Sequence, residues 1–168
     1  MNNNFLSKQK LRKIKFKVLG KNVKISTNVT IIGEKNIEIG DNVRIDDFTI
    51  ISAKEGSLKV GSNVHIAGQC YLGCGGEIQI KDNVNISQGV KIYSKINNYL
   101  NSNKHSATIK SSIKIGNNVI LGSNTVVVGN TFIKDGATVG ALSLVKQNLN
   151  SWSVYAGCPA KFIKKRKK

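Results

Sequence analysis

The chain has 168 residues and a net charge of +17, from 26 basic and nine acidic side chains. Its 40% hydrophobic content argues against a disordered chain and suits one domain with a real core. Three cysteines without paired spacing, Cys70, Cys74 and Cys158, argue against a disulfide scaffold or a four-thiolate zinc site, and no apolar run approaches the roughly 20 residues of a membrane helix. With no apolar stretch of the signal-peptide kind near its start, the expected location is the cytoplasm.

Residues 1–19 read as a basic arm, with six cations (Lys8, Lys10, Arg12, Lys13, Lys15 and Lys17) and no acid. Its apolar residues Phe5, Leu6, Leu11, Ile14 and Phe16 are placed to pack on whatever follows, in a partly helical or extended form. Residues 161–168 carry six more cations. Such ends attract nucleic acid, anionic membranes or phosphorylated small molecules, or are simply solvated.

From Val23 onward an apolar–x–apolar triplet recurs. Val23, Val29, Ile37, Val43, Thr49, Leu58, Val64, Cys70, Ile78, Val84 and Val90 open the first series, and Ile113, Val119, Thr125, Thr131, Ala137 and Ser143 the second. An aliphatic residue stands two positions after each one, so both members face one side of a short strand. Gly, Asn and Asp between the triplets suit tight corners. Most triplets lie six residues apart, and the longer steps fall after every third one. This spacing describes a coil of three short strands with surplus residues admitted at one corner, an arrangement in which each coil depends on its neighbours for burial. An alternating β-sandwich does not require that rhythm. Residues 93–112 lack the triplet and read as a polar loop extruded at the same corner. The expected organisation is an arm over 1–19, a three-sided all-β solenoid over 20–150 and a basic extension over 151–168.

The repeats IEIGDNVRI, LKVGSNVHI, IQIKDNVNI and IKIGNNVIL, with the closing segment SWSVYAGCPAKFIKK, resemble those of the hexapeptide-repeat acyltransferases over residues 20–165. The resemblance implies a left-handed parallel β-helix; the handedness comes from it alone, since ordinary parallel crossovers are right-handed. The segments NVRIDDFTIISAKEGSLKVGSNVHIA and VKIYSKINNY look most similar to transferases that acetylate sugars for bacterial surface polysaccharides, including lipopolysaccharide. Within these, the branch acting on nucleotide-linked 4-amino-4,6-dideoxyhexoses is the nearest likeness. The resemblance also implies a homotrimer using acetyl-CoA as co-substrate, with active sites between subunits.

Acetyl transfer from a thioester needs a held acceptor, removal of its proton, donors for the oxyanion and neutralised coenzyme phosphates. His65 lies between inward Val64 and Ile66 and so faces outward, stacked in register between Arg44 and Asn85, with Asp46 and Asp47 able to orient it. It is either a base or a histidine in a polar surface ladder. His105, in the extruded loop, is a second possible base or a solvated loop residue. Lys95-Ile96-Asn97-Asn98 stands where the similar O-acetyltransferases would show histidine, which favours an amine acceptor. An amine of pKa about 8 is partly neutral at physiological pH, whereas a sugar hydroxyl holds its proton far more tightly.

Arg44, Asp47, Asn85, Asn97, Asn98 and Tyr99 are therefore the expected sugar contacts. Gly122, Ser123, Gly140 and Ala141 offer small side chains and backbone N–H groups for the pantetheine arm, or are ordinary corner residues. Lys146, Lys161 and Lys164 are the expected phosphate partners, while Trp152 and Tyr155 either stack on adenine or close the column.

Two histidines fall short of the three that a β-helix zinc enzyme resembling the gamma-class carbonic anhydrases needs, so no metal is expected. Scattered aromatics give no basic–aromatic pattern for nucleic acid, and none is expected as a partner, although a basic RNA-binding or noncatalytic β-helix remains a reading of the charge. O-acetylation of a saccharide is the alternative within the enzyme class.

Overall fold

The computed structural model describes residues 4–97 and 108–167. Triplets spaced at the strand period fold into three parallel walls around one apolar column. The first wall stacks Val18–Leu19, Ile37–Ile39, Ser57–Val60, Glu77–Ile80, Ser112–Ile115 and Thr131–Ile133. The second stacks Lys24–Ile25, Arg44–Ile45, His65–Ile66, Asn85–Ile86, Ile120–Leu121 and Thr138–Val139, and is extended by Ser153–Ala156 and Lys161–Lys165. The third stacks Thr30–Ile32, Ile50–Ser52, Tyr71–Gly73, Lys91–Tyr93, Val126–Val128 and Leu144–Val145. Successive coils are in register, as in Ile78 opposite both Leu58 and Ile113. Arg44, His65 and Asn85 donate their backbone N–H groups to Val64, Val84 and Val119, which places the triplets rung over rung.

Both members of each central triplet are buried: Ile45, Ile66, Ile86 and Leu121 in the second wall are fully inaccessible. At roughly 25 cal/mol per Å², burial of this apolar surface does most to hold the coils together. The corner between the first and second walls explains the Gly-Asp-Asn signature. Asn22, Asn42, Asn63, Asn83 and Asn118 all take the left-handed conformation, with φ between 56 and 58°, which asparagine tolerates better than most residues. The side-chain amides of Asn22, Asn42 and Asn63 each donate to the asparagine one coil on, at 3.1, 3.1 and 3.2 Å. One residue earlier, Asp41, Asp82 and Asp135 accept backbone N–H groups from Lys21, Ser62 and Asn117 of the preceding coil. Gly40 precedes this staircase because a Cβ there would stand 2.7 Å from the Gly61 carbonyl carbon.

Both ends of the solenoid reach beyond the expected 20–150. Val18–Leu19 pairs with Glu38–Ile39, so the first coil starts inside the basic arm. At the other end Val154 and Tyr155 pair in parallel with Thr138 and Val139. Lys161–Lys165 then folds back antiparallel on Ser153–Ala156. The arm forms a helix over Lys8–Lys13, begun by the Ser7 hydroxyl and buried through Leu11; Leu6, Ile14 and Phe16 pack against the column. The described base of the extrusion at 93–112 is paired as a short ribbon. The chain leaves at Ser94 and returns at Ser111, whose N–H donates to the Ser94 carbonyl. Lys95–Asn97 pairs antiparallel with Thr108–Lys110. Lys95 bridges to Glu55 at 2.7 Å, and Lys110 Nζ donates to the Glu55 carbonyl, tying the ribbon to the corner of an earlier coil.

Candidate active site

The edge where the second wall turns into the third holds the candidate site. His65 stands on the second wall, paired with Arg44 and Asn85 as its register requires. Its ring Nε2 lies 2.8 Å from Asp46 Oδ2, while Arg44 Nε donates to Asp46 Oδ1 at 2.6 Å. Partial burial, the largest single influence on Asp46, pushes its carboxyl up, but hydrogen bonds from His65 and Arg44 with the Arg44 charge outweigh it. The carboxyl is thereby held below the usual carboxylate range. An ionised carboxylate only accepts, so in the neutral imidazole Nε2 carries the proton toward Asp46 and Nδ1 is the lone-pair acceptor. With 42% of its side chain exposed, His65 is open to a ligand. The Arg44 guanidinium in turn lies 5.4 Å from the centre of the Phe5 ring, so the N-terminal arm backs the cluster.

Asp47, an expected sugar contact, is engaged differently. Its Oδ1 accepts from the Ser26 hydroxyl, from Asn4 at 2.8 Å and from Asn28 at 3.1 Å, pinning the arm to the first coils. Asp46 and Asp47 are adjacent in sequence yet divide the work, one orienting His65 and the other holding structure.

The same edge, two coils on, carries Gly122 and Ser123, and Gly140 and Ala141 follow at the next coil. Two rungs of 4.8 Å put the first pair about 10 Å along the edge from His65. Ala67, Gly68 and Ser87 lie between, small residues drawn from two different coils and so without a local signal in the sequence. The N–H groups of Gly122 and Gly140 are not free for a thioester, because they donate to Val139 and Tyr155. A Cβ at Gly122 would stand 2.5 Å from the Ala141 nitrogen, so this glycine serves the stacking of the coils. The N–H groups of Ser123 and Ala141 have no hydrogen-bond partner among the described residues. Lys161, opposite Ala156 in the final strand, and Lys164 are exposed beside this end of the edge, and Lys146 is exposed just past the third wall.

Asn97 sits on the ribbon at the other border of the third wall, so one chain does not bring it to His65. His105, Asn98 and Tyr99 lie outside the described residues. Tyr155 is buried in the closing layer, edge-on to Phe162 at 5.9 Å, and Trp152 faces Arg166 at 5.7 Å. Burial pushes the Cys70 and Cys74 thiols up to about 11 and about 12, so neither supplies a thiolate nucleophile. No group of three or more metal-ligating side chains occurs among the described residues.

No family model matches the chain. The dTDP-4-amino-4,6-dideoxy-D-glucose acyltransferase of Escherichia coli is 38% identical to it over 172 residues, spanning 98% of this chain and 90% of the relative. The chain belongs to this acyltransferase family. Among solved structures, this acyltransferase resembles AntD, an N-acyltransferase from Bacillus cereus in complex with dTDP and 3-hydroxybutyryl-CoA, with a TM-score of 0.88 and 36% identity. That match covers 98% of this chain and 91% of AntD. A hexapeptide-repeat acetyltransferase from Vibrio cholerae matches with a TM-score of 0.66 at 24% identity, over 94% of this chain and 77% of the other, which speaks to the fold.

Proposed function

We propose that this acyltransferase moves an acyl group, acetyl being the expected one, from acyl-CoA to the amino group of a dTDP-linked 4-amino-4,6-dideoxyhexose. The observation that carries the reading is the Asp46-oriented His65 sharing an edge with Ser123 and Ala141, in a chain 38% identical to an enzyme of that name. The amine lone pair attacks the thioester carbonyl carbon, and the carbon–sulfur bond breaks as the tetrahedral intermediate collapses. His65 Nδ1 takes the proton that the nitrogen loses and returns it to the departing thiolate. Ser123 and Ala141 N–H groups face the coenzyme, and Lys146, Lys161 and Lys164 meet its phosphates. Arg44 and Asn85 flank the sugar.

The site is completed by a neighbouring copy. Asn97 and the ribbon lie across the third wall from His65, and that wall turns Ile32, Ile50, Tyr71, Tyr93, Val126 and Leu144 outward. Three copies joined along this apolar face bring the ribbon of one to the His65 edge of the next, giving a homotrimer. A nucleotide-linked substrate belongs to the cytoplasm, with the product destined for surface polysaccharide. No helix among the described residues is long and apolar enough to cross a membrane.

Mass spectrometry of reactions pairing acetyl-CoA or 3-hydroxybutyryl-CoA with dTDP-4-amino-4,6-dideoxyglucose, and with its 4-hydroxy counterpart, tests the reading. Acylated amino sugar with an unchanged hydroxy sugar is the expected result. Acylation of the hydroxy sugar alone would overturn N-transfer in favour of O-transfer.

A further inference from the structure

A cavity lies at the opposite end of the column from the Lys161–Lys165 strand. It has a volume of about 600 Å³ and opens where the N-terminal helix crosses the first corner. Its lining joins four cations, Lys8, Arg12, Lys15 and Lys21, to an apolar floor that includes Leu11 and Phe16. None of the four cations forms an ion pair with a carboxylate among the described residues. Asp41, beside the cavity, is engaged with the backbone N–H of Lys21. Lys15 adopts the left-handed conformation at φ 57°, just past the end of the helix, where glycine fits with less strain. That backbone turn carries its side chain into the cavity lining. The volume falls in the range of small-molecule pockets, which are mostly apolar with a few polar groups fixing orientation.

We propose that this cavity binds a phosphate monoester carrying a short apolar group. Four cations at the rim suit a dianionic phosphate better than a single carboxylate, with Arg12 able to bind two of its oxygens at once. The floor of Leu11 and Phe16 removes the ester's apolar part from water. The site stands apart from the His65 edge, and it does not depend on the acyl-transfer reading. A soluble phosphate ester and a phosphorylated lipid headgroup share this chemistry.

Calorimetric titration of the full chain with hexyl phosphate, inorganic phosphate and hexanoate tests the site. Hexyl phosphate is expected to bind roughly tenfold more tightly than either of the others, since only it uses both rim and floor. The Arg12→Gln/Lys15→Gln variant is expected to lose roughly tenfold in that affinity. The Lys10→Gln/Lys13→Gln variant removes equal charge from the same helix away from the cavity and is expected to bind as the parent does. Equal binding of inorganic phosphate, equal loss in both variants or no binding of hexyl phosphate would each overturn the proposal. Flotation with phosphatidic acid vesicles, against phosphatidylcholine vesicles, then separates the two sources. Flotation lost in Arg12→Gln/Lys15→Gln supports a lipid ligand, and hexyl phosphate binding without flotation supports a soluble one.

Discussion

Two neighbouring aspartates show how far a side chain's role depends on its partners. Asp46 is held by Arg44 and His65, and Asp47 by Asn4, Ser26 and Asn28. Replacing His65 with Asn removes the proposed general base and is expected to lower kcat about a hundredfold, with little change in KM for the coenzyme. Asp46→Asn is expected to have a smaller effect on kcat and to move its pH profile, because a neutral amide supports a protonated imidazole less well. Steady-state kinetics across pH checks both. The Asp46 contacts also carry a stability signature of definite sign. A carboxyl whose folded pKa is depressed stabilises the fold above its ordinary value, near 3.8, and loses that contribution as pH falls through the lower folded value. Melting curves of the parent and of Asp46→Asn are therefore expected to differ near neutral pH and to converge in strong acid. The outward direction of His65 was legible in the sequence from Val64 and Ile66. The partner of Asp47 was not, because the contact with Asn4 spans 43 residues and belongs to an arm without the repeat.

At the scale of the element, the repeat rests on pairs of inward aliphatics and on left-handed asparagines at the corner. Ile66→Ala is expected to cost about 2–5 kcal/mol by opening a cavity in the column. Asn63→Val is expected to cost about 1–2 kcal/mol through backbone strain alone, and more through the broken amide ladder. Urea denaturation measures both. The triplets made these strands readable wherever both inward residues were apolar. Two strands escaped for a physical reason: Lys17 stands at the inward register of Ile37, and Ser153 at that of Ala137. The ribbon of Lys95–Asn97 and Thr108–Lys110 was hidden because its two short strands are separated by ten residues and lack the inward aliphatic pair of the repeat. The corner glycines offered a similar trap. Gly122 looks like a place for a ligand to approach, and only its backbone hydrogen bond shows the N–H committed to the next coil.

For the whole molecule, the three walls and the corner of insertion put the candidate site along one edge and the extruded ribbon along another, with an apolar wall between them. In the proposed trimer that division leaves a single subunit incomplete and gives the outward side chains of the third wall a neighbour to pack on. Ile50→Asp is expected to convert trimer to monomer in light scattering and to abolish activity while leaving the coil intact by circular dichroism. An active monomer would place the whole site within one chain. Charge at this scale is organised too, since one basic end lines the cavity beside the first corner and the other forms the antiparallel strand that closes the column. Composition revealed the two clusters, but not that one of them frames a cavity.

The most direct measurement is a crystal structure of the protein with CoA and dTDP-4-amino-4,6-dideoxyglucose bound together. The coenzyme is expected along the Ser123–Ala141 edge, its sulfur beside the sugar's amino nitrogen and that nitrogen within hydrogen-bonding reach of His65 Nδ1. A sulfur and amine meeting on a different edge, with His65 facing only water, would contradict the assignment.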